Sequence, residues 1–184
     1  MKNQFEILNE EIRICTRCRL SKHRQNAVPG EGPSDAKLVF IGEAPGNQED
    51  KTGRPFVGRA GRLLDSLFAE INIDRNTVFI TSVIKCRPPD NRLPKSDELD
   101  ICVRSWMEKQ IELIDPEVIV LLGRVALKSM VNKTRVKEYA GQIVRKNNKK
   151  FFVTYHPAAA LRDPKIKEKL EKDFFMLKNI MNIS

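Results

Sequence analysis

The apolar positions of this chain fall into short blocks with two different periods. Leu38-Val39-Phe40-Ile41, Val78-Phe79-Ile80-Thr81-Ser82-Val83 and Val118-Ile119-Val120-Leu121-Leu122 are brief, nearly continuous runs rich in β-branched residues. Runs of that kind make strands covered on both faces. Between the first two, Ala60, Leu63, Leu64, Leu67, Phe68 and Ile71 recur at the i, i+3, i+4 spacing of an amphipathic helix. Phe5, Ile7, Leu8, Ile12 and Ile14 predict a first helix ending near Cys15. Leu99, Cys102, Val103, Trp106, Leu113 and Ile114 predict another, with Ser96 as its cap, Asp97 and Glu98 in its first turn and Pro116 as its stop. A helix follows Gly123-Arg124 through Val131, and the last runs from Pro164 to Ile180. Residues 143–146 and 151–154 read as a hairpin or as two separate strands.

Strand-helix alternation implies an α/β fold: a three-layer α/β/α sandwich around a central, mainly parallel four-stranded sheet. The whole chain, residues 1–184, reads as one domain. Such sheets bind ligands beyond the carboxyl ends of their strands. That edge collects the unusual segments of the sequence: the loop from Gly42 to Gly61, Ser82 with Lys85-Cys86-Arg87, Gly123-Arg124, and Tyr155-His156-Pro157.

Composition narrows the partners. Apolar residues make up 41% of the chain, enough for a packed core, and no run approaches the ~20 residues of a membrane span. The start of the chain lacks the basic and apolar stretches of a signal peptide, so a cytoplasmic location is expected. The net charge of +9 favours a polyanionic partner, with a generally basic surface as the plainer reading. Neither GxxxxGK[ST] nor GxGxxG occurs, which removes the common phosphate and dinucleotide loops. Taken alone, Phe56 reads either as a ring folded back into the core or as an aromatic face for a planar ligand. His156, directly after a strand on the ligand edge, is a candidate for binding or catalysis. Of the four cysteines, Cys15 and Cys18 form a C-x-x-C pair, while Cys86 and Cys102 stand further apart. Spacing alone allows a tetrahedral zinc site, although the wide second gap is unlike a zinc ribbon.

The ordered set GEAPG (42–46), GRPFVGRAG (53–61), KCRPPDNR (85–92) and YHPAAALRDP (155–164) resembles the family 4, iron–sulfur uracil-DNA glycosylases over nearly the whole chain. The resemblance implies a glycosylase that flips uracil out of DNA and hydrolyses its N-glycosidic bond, initiating base excision repair. It implies Phe56 stacked on the base, Gly42, Glu43 and Ala44 around it, and His156 donating to a carbonyl of the leaving base. Glu43 is then the first candidate to position water, and Glu49 a weaker one. Leu161 would be a wedge in the DNA, with Arg87, Arg124 and Arg162 as DNA contacts. Cys15, Cys18, Cys86 and Cys102 would hold a 4Fe–4S cluster, with zinc the lesser alternative. The partners implied are uracil-containing DNA, single- or double-stranded, and a replication clamp. The protein would act as a monomer, nucleoid-associated in a prokaryote. The chain departs from that family at Ser82, where asparagine usually stands. This opens two alternatives: a glycosylase for another deaminated or damaged base, or a non-catalytic iron–sulfur DNA-binding module.

Overall fold

The computed structural model describes residues 3–183. Its elements, in chain order, are α1 (Gln4–Arg13), β1 (Leu38–Gly42), α2 (Asn47–Thr52), α3 (Arg59–Glu70), β2 (Phe79–Ser82), α4 (Ser96–Cys102), α5 (Glu108–Ile114), β3 (Val118–Leu122), α6 (Arg124–Val131), α7 (Val136–Tyr139), β4 (Ile143–Lys146), β5 (Lys149–Thr154), α8 (Pro157–Ala160) and α9 (Pro164–Ile180). A π-helical segment, Val103–Met107, joins α4 to α5.

The sheet has five strands in the order β2-β1-β3-β5-β4. The first four are parallel and β4 is antiparallel to β5, so the expected four-stranded sheet gains an edge strand. Residues 143–154 are a hairpin whose turn, Asn147-Asn148, has both φ angles positive. This is the geometry that matches strand twist in a two-residue connection. β4, the 143–146 strand that the sequence allowed as one arm of a hairpin, is short and half-exposed and ends on Arg145 and Lys146. Charged residues of this kind protect a sheet edge from further pairing.

Alternation along the strands builds two cores. Val39, Ile41, Ile119, Leu121 and Val153 face Ile12, Trp106, Ile111 and Leu127 of α1, the π segment, α5 and α6. Phe40, Val120 and Phe152 face Leu64, Phe68, Leu170 and Phe174 of α3 and α9. The N-terminal cap of α4 differs from expectation: the cap residue is Lys95, whose N–H donates to Glu98 Oε2 at 2.8 Å, and Ser96 is already helical. Glu98 displaces the serine because a carboxylate three residues on both accepts that N–H and pairs with Arg92.

β1 and β3 are neighbours, but the chain leaves them toward β2 on one side and β5 on the other. A crevice opens where connections diverge in this way. The carboxyl ends of all four parallel strands meet there.

Candidate active site

The loop after β1 wraps a single strained residue. Phe56 has φ of 50°, in the left-handed region where a bulky side chain is an outlier. Two charged groups hold it. Glu49 accepts the N–H groups of Val57 (2.9 Å) and Gly58 (2.8 Å) on Oε1, and that of Gly46 (3.1 Å) on Oε2. Arg75 donates to the carbonyls of Pro55 (2.7 Å) and Phe56 (3.4 Å), and is itself anchored on Asp65 (2.6 Å). Glycine is required at two close approaches. A Cβ on Gly61 would lie 1.8 Å from the Phe56 carbonyl oxygen, and one on Gly42 would lie 2.6 Å from the Phe56 ring. Asp50, an acid of the same polar loop, is buried and accepts the N–H groups of Gln25 and Asn26. It pins the N-terminal segment to this loop.

The held ring forms one wall of a cavity of about 180 Å³, lined by Ala44, Pro45, Glu49, Phe56, Ser82 and His156 among others. Three larger cavities, of about 530, 650 and 390 Å³, lie elsewhere and contain neither ring. The Phe56 and His156 rings lie 5.7 Å apart between centroids, with their planes inclined by 28°. A base gripped between two rings needs about 7 Å, two contacts of about 3.5 Å each. The rings are therefore adjoining walls of one cavity rather than the two jaws of a clamp.

His156 follows β5 and opens α8. Its Nδ1 accepts the Ala158 N–H at 3.1 Å, so a neutral ring carries its proton on Nε2. Burial lowers its pKa to about 4, helped by the nearby Arg162 charge and opposed by Glu49. The imidazole is thus a neutral donor at physiological pH. Ser82, at the end of β2, is buried at the cavity wall. Glu43 is not among the cavity-lining residues. Its carboxyl is partly buried, and burial raises its pKa against the opposing charge of Arg124 at the start of α6.

The remaining predicted residues separate. Leu161 and Arg162 are exposed just past α8, on the His156 side. Arg124 is exposed at the start of α6. Arg87 donates to Asn91 Oδ1 at 2.8 Å. Among the neighbouring basic residues, Arg92 is bidentate on Glu98, and Arg19 pairs with Asp97. Both are neutralised within the protein.

The four cysteines are free thiols, with Cys86 and Cys102 buried and Cys15 and Cys18 partly so. Burial raises Cys86, partly offset by a 2.9 Å bond from Arg24 Nη1 to its sulfur, and the Cys18 and Cys15 sulfurs raise it further. Burial pushes Cys102 up to about 12; the Lys85 backbone N–H and ammonium oppose this, and Cys86 and Cys18 add to it. Among the described residues, no three His, Cys, Asp or Glu side chains are grouped as ligands of a single metal ion.

Comparison with known proteins supplies the family. The profile described as "Uracil DNA glycosylase superfamily" matches residues 29–177. The chain is 44% identical over 189 residues to a type-4 uracil-DNA glycosylase of Sulfurisphaera tokodaii, covering 97% of this chain and 85% of that protein. It is 47% identical over 162 residues to the type-4 enzyme of Thermotoga maritima, covering 86% and 84%.

The chain belongs to the type-4 uracil-DNA glycosylases.

A third relative extends the pattern. A DNA polymerase of Bacillus phage SP01 is 31% identical over 163 residues, covering 88% of this chain but 18% of the polymerase. Among the described residues of this family member, no helix is long and apolar enough to cross a membrane. Arg75 and the buried role of Asp50 escaped sequence reading. Arg75 lies in a short polar connection before β2, where nothing in spacing or composition points toward Phe56. A carboxylate in a polar loop looks the same in sequence whether it faces solvent or backbone amides.

Proposed function

We propose that this chain excises uracil from DNA. A flipped nucleotide places its base in the cavity against the Phe56 face, as an enzyme acting on a base within a duplex requires. The observation that carries this reading is a neutral imidazole sharing one cavity wall system with a strained, doubly held aromatic ring. Breaking the N-glycosidic bond leaves its electron pair on the base, and negative charge spreads onto the carbonyl oxygens. With Nδ1 bound to Ala158, the His156 Nε2–H is the group free to donate to that developing charge. Its low pKa keeps it a hydrogen-bond donor rather than an acid, so the base departs as an anion. The sugar becomes cationic, and water adds to its anomeric carbon. Glu43, held near Arg124 just outside the lining, is the carboxylate best placed to orient that water or offset the cation. Glu49 is committed to three backbone amides and serves by shaping the loop.

Ser82 sets the specificity. Its hydroxyl both donates and accepts on a single rotating atom. Discrimination between uracil and cytosine is therefore weaker than with a side-chain amide, and other deaminated bases come within reach. Leu161 fills the gap left by the flipped base. Arg162, Arg124 and Arg87 contact the phosphates.

The cysteines fit a 4Fe–4S cluster by donor chemistry: there are four free thiols, two of them buried, and backbone or guanidinium N–H groups of Arg17 and Arg24 donate to the Cys15 and Cys86 sulfurs. Hydrogen bonds to sulfur are a normal feature of such centres. Cys15, Cys18, Cys86 and Cys102 would be its ligands. When bound, it supplies a structural tie between the N-terminal segment and the loop after β2. Beyond DNA, the segment of a phage DNA polymerase that aligns with this chain supports a partner in replication, a polymerase or a clamp.

The test is a uracil-containing oligonucleotide treated with the protein and then with alkali, beside a panel carrying other deaminated bases. Strand cleavage at uracil is expected, with Ser82→Asn sharpening the preference for uracil. No cleavage of any substrate by cluster-loaded protein rejects the reading in favour of a non-catalytic DNA-binding module.

A further inference from the structure

Two walls of the base cavity come from different loops, and one side chain reaches the supports of both. Val28, Pro55, Phe56 and Ser82 are among the residues that line the cavity. Residues 28–31 run beside β2 and the residues that follow it. The Val28 N–H donates to the Lys85 carbonyl at 2.7 Å, and the Thr81 hydroxyl donates to the Pro29 carbonyl at 2.7 Å. Glu31 exchanges backbone bonds of 2.9 and 2.8 Å with Ile80. This approach needs Gly32, where a Cβ would lie 2.1 Å from the Val78 carbonyl oxygen. The Glu31 backbone is thus fixed to β2 just before Ser82. Its carboxylate crosses to the other wall. Arg54, just before Pro55 and Phe56, grips it as a fork: Nε donates to Oε2 at 2.6 Å and Nη2 to Oε1 at 2.9 Å. Arg75, which holds the Pro55 and Phe56 carbonyls, brings its Nε within 3.6 Å of Oε1. The hydrogen bonds from Arg54 hold Glu31 below the usual carboxylate range, against partial burial, and Arg75 adds to this. Glu31 is therefore an anion shared by two guanidinium groups that flank Phe56. The Arg54 side chain is 60% exposed and that of Glu31 31%. An ion pair this open contributes little to global stability. What it fixes is the direction of the Arg54-Pro55-Phe56 turn relative to β2.

We propose that Glu31 is a positioning residue for base excision, joining the Phe56 wall of the cavity to the Ser82 wall through Arg54 and Arg75. This role rests on the reading that the chain excises uracil. Glu31 does not line the cavity and touches no reacting atom. It acts by setting where the Phe56 ring stands relative to the Ser82 hydroxyl, so that one base meets both. Its loss costs rate in the bound complex rather than DNA affinity, because the DNA contacts lie elsewhere.

The experiment is single-turnover excision from a uracil-containing oligonucleotide, with the DNA dependence of the rate measured for each variant of the full chain. Glu31→Gln removes the charge and keeps the side-chain length and the backbone bonds to Ile80. The maximal rate is expected to fall about tenfold, a fraction of the hundredfold that an ångström of misplacement costs. The half-saturating DNA concentration and the thermal midpoint should stay near wild type. In a Phe56→Leu background the same change should cost less than about twofold, because coupled residues are not additive. Arg54→Met, at an exposed position that the fold tolerates, should reproduce the loss and add nothing to Glu31→Gln. A wild-type maximal rate in both single variants would overturn the proposal, as would an equal tenfold loss with and without Phe56. A weaker DNA affinity at unchanged maximal rate in Arg54→Met would also overturn it, making the arginine a phosphate contact. Wild-type protein that leaves uracil in place would overturn the proposed function itself, and this role with it.

Discussion

Two loops meet at one sheet edge and are stabilised in opposite ways. The loop after β1 is electrostatically complete within the protein. Glu49, Asp50 and Arg75 hold its amides and carbonyls, and the strain at Phe56 is balanced on both sides. The loop after β2 is not complete in the same sense. It contains a buried lysine, Lys85, whose amine donates to four neutral acceptors and whose pKa burial lowers to about 7, and two buried thiols whose pKa values burial raises. The first loop is preorganised by hydrogen bonds alone, which suits a rigid cavity wall. On the cluster reading proposed above, the second loop's thiols would become thiolates on a metal centre and supply the missing negative charge. The proposed function thus divides preorganisation for chemistry and attachment of a cofactor between neighbouring connections.

Substitutions should fall on this division. Cys102→Ser should have the largest effect: loss of the iron–sulfur absorbance and a broad fall in thermal stability, since metal binding and folding are coupled at such sites. Calorimetry with iron analysis checks it; a stable, iron-replete variant would place the centre elsewhere. Gly61→Ala should be next, because the added Cβ meets the Phe56 carbonyl at 1.8 Å. A stability loss of about 3 kcal/mol is expected from the overlap, and uracil excision should fall with it while the iron content stays unchanged.

Arg75→Met should be milder. It releases the carbonyls of Pro55 and Phe56 without touching the cavity. A loss of about 1–2 kcal/mol, roughly tenfold in kcat/KM, follows from removing charged hydrogen bonds. Equal kcat/KM in wild type and variant would show that Phe56 holds its strained turn without this clamp.

The smallest effect concerns a site away from both loops. Asp173 of α9 accepts the Thr154 hydroxyl at 2.6 Å, and burial raises its pKa to about 6. The folded state therefore binds this proton more tightly than the unfolded chain, and the stabilisation is lost as pH rises through about 6. Asp173→Asn should gain about 1 kcal/mol relative to wild type between pH 5 and pH 8. A pH-independent difference in unfolding free energy would assign the carboxyl an ordinary pKa.

Much of this arrangement is legible in the sequence because it follows periodicity. The three apolar runs became β1, β2 and β3, and the Ala60–Ile71 pattern became α3. The rule that ligands bind at strand carboxyl ends brought Phe56, Ser82 and His156 to one edge, and they line one cavity. Features set by long-range partners were not legible. Arg75 reaches Phe56 from 19 residues away in sequence. Glu49 and Asp50 look like solvated loop acids until their amide partners are known. Lys85 shows no sign of burial in a segment dense in proline and charge. Phe56 and His156 were expected to meet at one base, and their 5.7 Å separation makes them adjoining walls of one cavity. Ring spacing is a property of packed coordinates, which composition and motif order do not encode.

The central claim is that the neutral His156 donor stabilises a departing base anion in the cavity walled by Phe56. Single-turnover excision of uracil from an oligonucleotide, wild type against His156→Ala, tests it most directly. The account predicts a fall of about 10²–10³-fold in the rate of the chemical step, the scale for losing one preorganised donor, with folding and iron content retained. A His156→Ala protein that cleaves at the wild-type rate would contradict it.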